Sequence, residues 1–411
     1  MTPLSALREL AVSLDAADPL AAKRAEFDLD PAVAYFDGNS LGAPPKHVAA
    51  RVSAVVREQW GGRLIRSWTE GWWDAPVRVG ERIAPLVGAA PGQVVVADST
   101  SVDLFKTLVA AVRANPGRDE ILLDAATFPT DGYVAGEVAR LTGHRLRRVP
   151  VAELGTAAGE RTAVVLANHV DYVSGRLHDM AETTAAAHRA GALVVWDLCH
   201  SVGAVPVRLD ECEVDFAVGC TYKFLNGGPG APAFVYLARR WQAGFDQPLA
   251  GWAGHADPFA MEAGYRGADG AGRARAGTPD ILSLLALDAA LDVWDDVDLA
   301  VLREKGLALG DFFFRCLDVL LPGAEVATPR DHARGHQVSV RDPGGERTMA
   351  ALHERGVLGD FRPPDVLRFG LAPLYTTYAE VARAVETLRD VRGFSRSPHQ
   401  VREGFRPGTG R

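Results

Sequence analysis

The sequence predicts an α/β fold, a large domain on a mostly parallel sheet followed by a smaller α+β unit. Between residues 94 and 235 short apolar runs alternate with stretches of helical apolar spacing. That alternation is the pattern of a parallel sheet covered by helices on both faces. Beyond about residue 297 the order changes to helix, strand, helix, strand and helix, enough for a second, smaller body. A chain of 411 residues also exceeds one ordinary core, so two or three domains are expected. The expected division is an N-terminal segment over 1–45 packing near the small domain, a large domain over 46–290 and a small domain over 291–411.

Taken in order, the first 35 residues read as a helix and a loop. Tyr35 to Gly42 reads as a strand and a turn dense in turn formers. Val48–Trp60 and Val77–Val87 carry helical spacing. Strands are expected over 94–97, 120–123, 162–166, 192–196, 215–218 and 233–235, with helices over 102–112, 132–141 and 180–190 between them. Residues 264–278, rich in Gly, Ala and Arg, read as a loop, and a long helix is expected over 281–294. The small unit reads as helix 302–321, strand 336–340, helix 348–355, strand 366–369 and helix 378–391. The tail from Ser397 lacks apolar periodicity and is expected to be mobile.

Composition narrows the function. Hydrophobic residues are 47% and charged residues 23%, the balance of a globular protein, and the net charge is −8. With no basic block, nucleic acid and anionic membrane surfaces are not expected partners. No uncharged apolar run reaches the length of a membrane span, and the charged first turns do not resemble a signal peptide. The four cysteines show no paired spacing, which suits reduced thiols in a cytoplasmic protein. No metal site is expected.

The chemistry gathers where strands end, because ligands of such sheets lie at the carboxyl ends of the strands. One apolar run ends on Asp197, and the next leads into Gly219-Cys220-Thr221-Tyr222-Lys223 and a Gly227-Gly228-Pro229-Gly230 turn. An amine and a carboxylate in this order suit pyridoxal 5'-phosphate (PLP). Its aldehyde condenses with lysine, and its ring nitrogen works as an electron sink when a carboxylate keeps it protonated. The glycines after Lys223 permit close backbone approach. Ser99-Thr100-Ser101 opens a helix, where free amides and hydroxyls can hold a phosphate; the same residues also make an ordinary helix cap. Phe128, ahead of Pro129-Thr130-Asp131, can stack on a pyridine ring or serve as core. Asn168 ends another strand and can donate to the cofactor's phenolic oxygen. His200 can orient the ring or bond to Asp197. Arg368, ending a strand of the small unit, matches a substrate carboxylate through its planar fork, or a structural ion pair.

These motifs together resemble kynureninase, of the PLP-dependent transferase superfamily with the aspartate aminotransferase fold. The resemblance rests on Asp37-Gly38-Asn39-Ser40-Leu41-Gly42, Leu64-Ile65-Arg66-Ser67-Trp68, Phe128 to Asp131, Trp196 to Ser201, Gly219 to Gly230, Gly251 to His255, Gly277-Thr278-Pro279 and Arg368-Phe369-Gly370. It covers about residues 20 to 395, and bacterial members are the nearer likeness. It implies a fold type I architecture with a seven-stranded sheet, and hydrolysis of L-kynurenine or its 3-hydroxy form to anthranilate or 3-hydroxyanthranilate and L-alanine. It further implies that Lys223 carries the cofactor, Asp197 pairs with the ring nitrogen, Thr100, Ser101 and Tyr222 hold the phosphate and Phe128 stacks on the ring. Asp131, Asn168 and His200 would complete the shell. Trp252 and Thr278 would close the phosphate side, from a neighbouring subunit of a homodimer. Arg368 would take the substrate α-carboxylate, near Asn39 and Ser40, while Trp68, Gly277 and Thr278 follow the pattern that favours kynurenine. Tyr222 is the candidate for proton delivery. Ala253 departs from the family's usual Phe and leaves a smaller wall.

Two other classes fit some of these residues. A cysteine desulfurase or an aminotransferase would share the fold; a desulfurase needs a reactive cysteine on a later loop, and Cys316 lies in an apolar helical run. A non-catalytic regulatory module on the same fold would have no need of Lys223 or Arg368.

Overall fold

The computed structural model describes residues 2–395, so the tail from Ser397 lies outside the described residues. The chain first forms a helix, Pro3–Ala16, and a short strand β1, Ala34–Tyr35. Seven strands then build the large sheet: β2 (Val94–Ala97), β3 (Glu120–Asp124), β4 (Arg145–Val149), β5 (Thr162–Asn168), β6 (Leu193–Asp197), β7 (Phe216–Gly219) and β8 (Ala233–Leu237). Their order across the sheet is β2-β8-β7-β6-β5-β3-β4, and only β8 runs against the rest.

The central strands are buried along their whole length, as their unbroken Val, Leu and Ala runs require when both faces are covered. Helices Thr100–Ala114 and Pro129–Thr142 cover one face, where Leu104, Leu108 and Val138 meet Ile121, Leu123 and Val195. The other face takes Leu122, Val165 and Trp196 against Val79, Met180 and Leu284. One strand of this sheet was not anticipated. β4 reads Arg-Leu-Arg-Arg-Val and sits at the sheet edge, where exposed charges discourage pairing with other chains.

Two helices are also less regular than their spacing suggests. The segment expected over 48–60 is α-helical over Val48–Ala54 and widens to a π-helix over Val55–Arg63, a stretch that holds Gly61-Gly62. Ile281–Ala290 passes into a 3₁₀ turn, Leu291–Trp294.

The smaller unit holds a three-stranded antiparallel sheet in the order β11-β12-β9, from β9 (Gln337–Arg341), β11 (Asp360–Arg362) and β12 (Val366–Gly370). Strand β10 (Val357–Leu358) instead pairs in parallel with β1. Its core is Phe313, Val338, Leu367, Phe369 and Val385, with Leu7, Ala11 and Phe36 from the N-terminal segment. That segment serves both bodies, because Leu20, Phe27 and Ala43 pack into the core of the large sheet. The large core also takes in Val293, Trp294 and Leu302. Among the described residues no helix is long and apolar enough to cross a membrane.

Candidate active site

Three parallel strands deliver the central residues. Pairing of β5 with β6 sets Asn168 beside Asp197, and pairing of β6 with β7 sets Asp197 beside Val218, just before the turn that carries Lys223. That turn is held from within by Asn226 N to Lys223 O (3.0 Å) and Gly227 N to Thr221 O (3.0 Å). The N-terminal segment holds it from outside, through Gly42 N to Tyr222 O (2.8 Å) and Asn226 Nδ2 to Ala43 O (2.9 Å). Gly42 has to be glycine, because a Cβ there would lie 2.1 Å from Lys223 O.

One cleft at these strand ends is lined by Thr100, Ser101, Phe128, Asp131, Asn168, Asp197, His200, Tyr222 and Lys223. Thr100 and Ser101 open the first turn of their helix, whose cap Ser99 accepts from Val102 N at 3.5 Å. They therefore bring free amides and hydroxyls to the cleft, a site for an anion.

Two carboxylates share the cleft. Asp197 accepts from Cys199 N (2.7 Å) and Asn168 Nδ2 (2.9 Å), and the same Nδ2 donates to Asp131 Oδ2 (2.9 Å). Thr127 donates to Asp131 Oδ2 at 3.1 Å and to Asn168 Oδ1. Asn168 is thus a bridge between two acids rather than a donor to an open position. Burial, and then the charge of Asp197, push the Asp131 carboxyl well above the usual carboxylate range. Among the described residues neither carboxylate has a cationic side-chain partner.

Lys223 Nζ lies 2.9 Å from His200 Nε2, so His200 meets the lysine and not Asp197. Burial, and then the Lys223 charge, hold His200 well below its usual pKa and therefore neutral, and its buried Nδ1 has no partner. Burial also raises the Tyr222 phenol, with Cys220 and Cys199 adding to the effect. A lysine without a carboxylate partner on one side and two buried acids without a cation on the other fit a ligand with an electrophilic carbon and a protonatable ring nitrogen. PLP meets that description, and the helix start suits its phosphate.

Arg368 lies beside the cleft. Its Nε donates to Asp360 Oδ1 (2.7 Å), its Nη2 to Asp360 Oδ2 and to Ser40 Oγ (3.1 Å), and its Nη1 to the carbonyl of Tyr172 (2.7 Å). Tyr172 lines the cleft and meets Phe128 edge-on at 5.2 Å. Asn39 is buried nearby and donates to Gln337 Oε1 at 3.3 Å.

Four other residues are not brought to the cleft by a single chain. Trp252 is 40% exposed and packs at a tilt against Trp73, with centroids 4.7 Å apart. Trp68 packs edge-on against Trp72. Gly277 and Thr278 line a neighbouring cavity with Ser99, on the far side of the helix start.

Sequence reasoning gave no role to Thr127, Tyr172, Cys199 or Asp360. Thr127 and Tyr172 adjoin motifs that stood out, so position at a strand end was a usable signal. Asp360 shows itself only through its strand pairing with Arg368.

The comparisons agree with this geometry. Residues 302–388 match the family described as the kynureninase C-terminal domain. A kynureninase of Deinococcus radiodurans is 53% identical over 383 residues, 91% of this chain and 93% of that protein. One from Burkholderia pseudomallei is 47% identical over 395 residues, 93% of this chain and 95% of that protein. Among solved structures, the apo cysteine desulfurase of Thermococcus onnurineus superposes with a TM-score of 0.77 at 20% identity, covering 90% of this chain and 98% of that one. The lyase C-DES, with glycine covalently linked to its PLP cofactor, gives 0.79 at 20% identity, with 89% and 99% covered. These two likenesses establish the shared fold, whereas the similarity in sequence is specific. The chain belongs to the kynureninase family.

Proposed function

We propose that this protein is a PLP-dependent hydrolase that cleaves the Cβ–Cγ bond of L-kynurenine, releasing anthranilate and L-alanine in tryptophan breakdown. The observation that carries the reading is the presence of Lys223 in one cleft with the Asp131–Asp197 pair, each without an ionic partner. When bound, PLP supplies an aldehyde for amines and a ring that accepts electrons from the substrate's Cα.

The chain's own groups then have distinct tasks. Asp197, with Asn168 and Cys199 N fixing its oxygens, keeps a proton on the ring nitrogen. Thr100 and Ser101 bind the phosphate, and Phe128 lies against the ring. Lys223 would hold the cofactor through its amine, and the same amine, once free, would take the substrate's α-proton. Neutral His200, 2.9 Å away, can accept a hydrogen bond from the lysine and so leaves its amine available. Water adds to the side-chain carbonyl, and Tyr222, a phenol that burial keeps protonated, delivers a proton to the three-carbon fragment. Arg368 holds the α-carboxylate, with Ser40 and Asn39 at its side.

We also propose a homodimer in the cytoplasm, in which the partner's Trp252 and the partner's Thr278 complete the phosphate side and Trp68 and Gly277 border the aromatic ring. The exposure of Trp252 and Phe259 supports this arrangement. The proposed bodies are 46–290 and 291–411, with Val293, Trp294 and Leu302 reaching into the core of the former and 1–45 packed against both. A desulfurase reading is disfavoured by Cys316, which is buried in a helix with its thiol pushed up to about 12 by burial.

The test is release of aromatic amine by purified protein, with L-kynurenine and its 3-hydroxy form compared. Lys223→Ala is expected to abolish both the cofactor's absorbance at its lysine-bound wavelength and turnover. Keto acid in place of anthranilate, or turnover by the variant, would overturn the reading.

A further inference from the structure

Arg368 is 1% exposed at its side chain and its guanidinium is almost fully engaged. A planar guanidinium offers two edges, each matched to a carboxylate. Asp360 occupies the Nε–Nη2 edge with both of its oxygens. The other edge, Nη1 and Nη2, meets only the Tyr172 carbonyl and the Ser40 hydroxyl, and Tyr172 is part of the cleft wall. Asp360 is not carried by a mobile loop, because β11 pairs with β12 so that Asp360 stands directly opposite Arg368. Its carboxylate is fixed in turn by Ser40 Oγ (3.0 Å) and Arg362 Nη2 (2.7 Å).

We propose that Asp360 is a positioning residue for the substrate: it clamps one edge of Arg368 and thereby aims the other edge at the cleft to receive the α-carboxylate. The proposal deepens the role given to Arg368 above and rests on that reading. Without the clamp, Arg368 would be a buried cation free to turn its fork away or to draw in a foreign anion. Arg362 differs from it, being 38% exposed at its side chain and on the outer end of β11. Its task is to hold Asp360, and it does not receive substrate.

The test compares cofactor-loaded wild type with Asp360→Asn, Asp360→Glu and Arg362→Leu. L-alanine affinity is read from the cofactor's absorbance, alongside KM and kcat for L-kynurenine. Inhibition by 2-aminoacetophenone, which has no α-carboxylate, serves as the internal control. Asp360→Asn is expected to weaken L-alanine binding and raise KM by about tenfold, the worth of one charge-assisted hydrogen bond, with kcat within about threefold. Inhibition by the aminoketone stays the same. Asp360→Glu, which keeps the charge, recovers part of the loss and serves if the asparagine variant does not fold. Arg362→Leu, which removes a half-exposed support of the clamp and not the clamp itself, raises KM by less than Asp360→Asn does.

The clamp is wrong if Asp360→Asn and Asp360→Glu both leave L-alanine binding and KM as in wild type. It is also wrong if the aminoketone weakens in parallel, or if Arg362→Leu raises KM as much as Asp360→Asn. Wild type that releases no anthranilate would defeat the proposed function, while L-alanine binding to the same variants would still judge the clamp.

Discussion

Replacing Asp131 by asparagine should move stability and cofactor affinity in opposite directions. Asp131 Oδ2 accepts from Thr127 and from Asn168, and its carboxyl faces Asp197. An asparagine oxygen can keep both accepted bonds, and its amide can donate to Asp197 at any pH, as the Asp131 carboxyl does only while it holds its proton. Because burial and Asp197 raise the Asp131 pKa in the fold, the native chain holds a proton that the unfolded chain releases. Its contribution to stability is therefore complete below the unfolded carboxylate value and is lost as pH rises towards the raised one. While that condition lasts the loss is about 1.4 kcal/mol per pH unit. An amide does not titrate and has no such loss, so cofactor-free Asp131→Asn should gain on wild type as pH rises from 5 to 7. Urea denaturation of both proteins at pH 5, 6 and 7 reads the difference, in which the other titrating groups largely cancel. With PLP bound the ring cation satisfies both acids, so the variant should bind the cofactor about tenfold more weakly. A stability difference that stays flat with pH, or a variant less stable than wild type at pH 7, would refute the reasoning.

Two further substitutions probe the supports of the cleft. Gly42→Ala puts a methyl group against Lys223 O and Asn226, and should cost about 1–3 kcal/mol and reduce cofactor loading, measured by thermal melting and cofactor absorbance. Lys106 is fully buried between Asp98 (2.5 Å), Asp103 (2.7 Å) and the Ala274 carbonyl (2.7 Å), and it restrains an Asp103 that burial pushes up to about 7. Lys106→Met should therefore cost about 3–5 kcal/mol at pH 8 and distinctly less at pH 5.5, where Asp103 takes up a proton, as paired melting curves would report.

The sheet and the two charged ends of the cleft were legible because each rests on a local pattern. Unbroken apolar runs mark strands buried on both faces, and Asp197 and Lys223 stand out as charges where two such runs stop. What escaped depends on neighbours distant in sequence. β4 carries three arginines in five residues and is a strand only because β3 lies beside it. The bridge that Asn168 makes between Asp131 and Asp197 joins residues from two strands and a helix, and no spacing announces it. Arg368 could be read as a carboxylate receptor or an ion pair, and the fold gives it the ion pair, with its second edge on a carbonyl and a hydroxyl. Trp252 and Thr278 entered through family likeness alone, and nothing within one chain carries them to the cleft.

The threading of residues 34 to 43 has a consequence for how the chain is made. β1 finds its partner only at Val357 and Leu358, and Gly42 finds its own at Tyr222. A ribosome releases this stretch well before Tyr222 and Val357, so each contact must wait for a partner distant in sequence. β1 is thus among the later elements to settle, whereas the brace on the lysine turn can form once Tyr222 to Asn226 have been made.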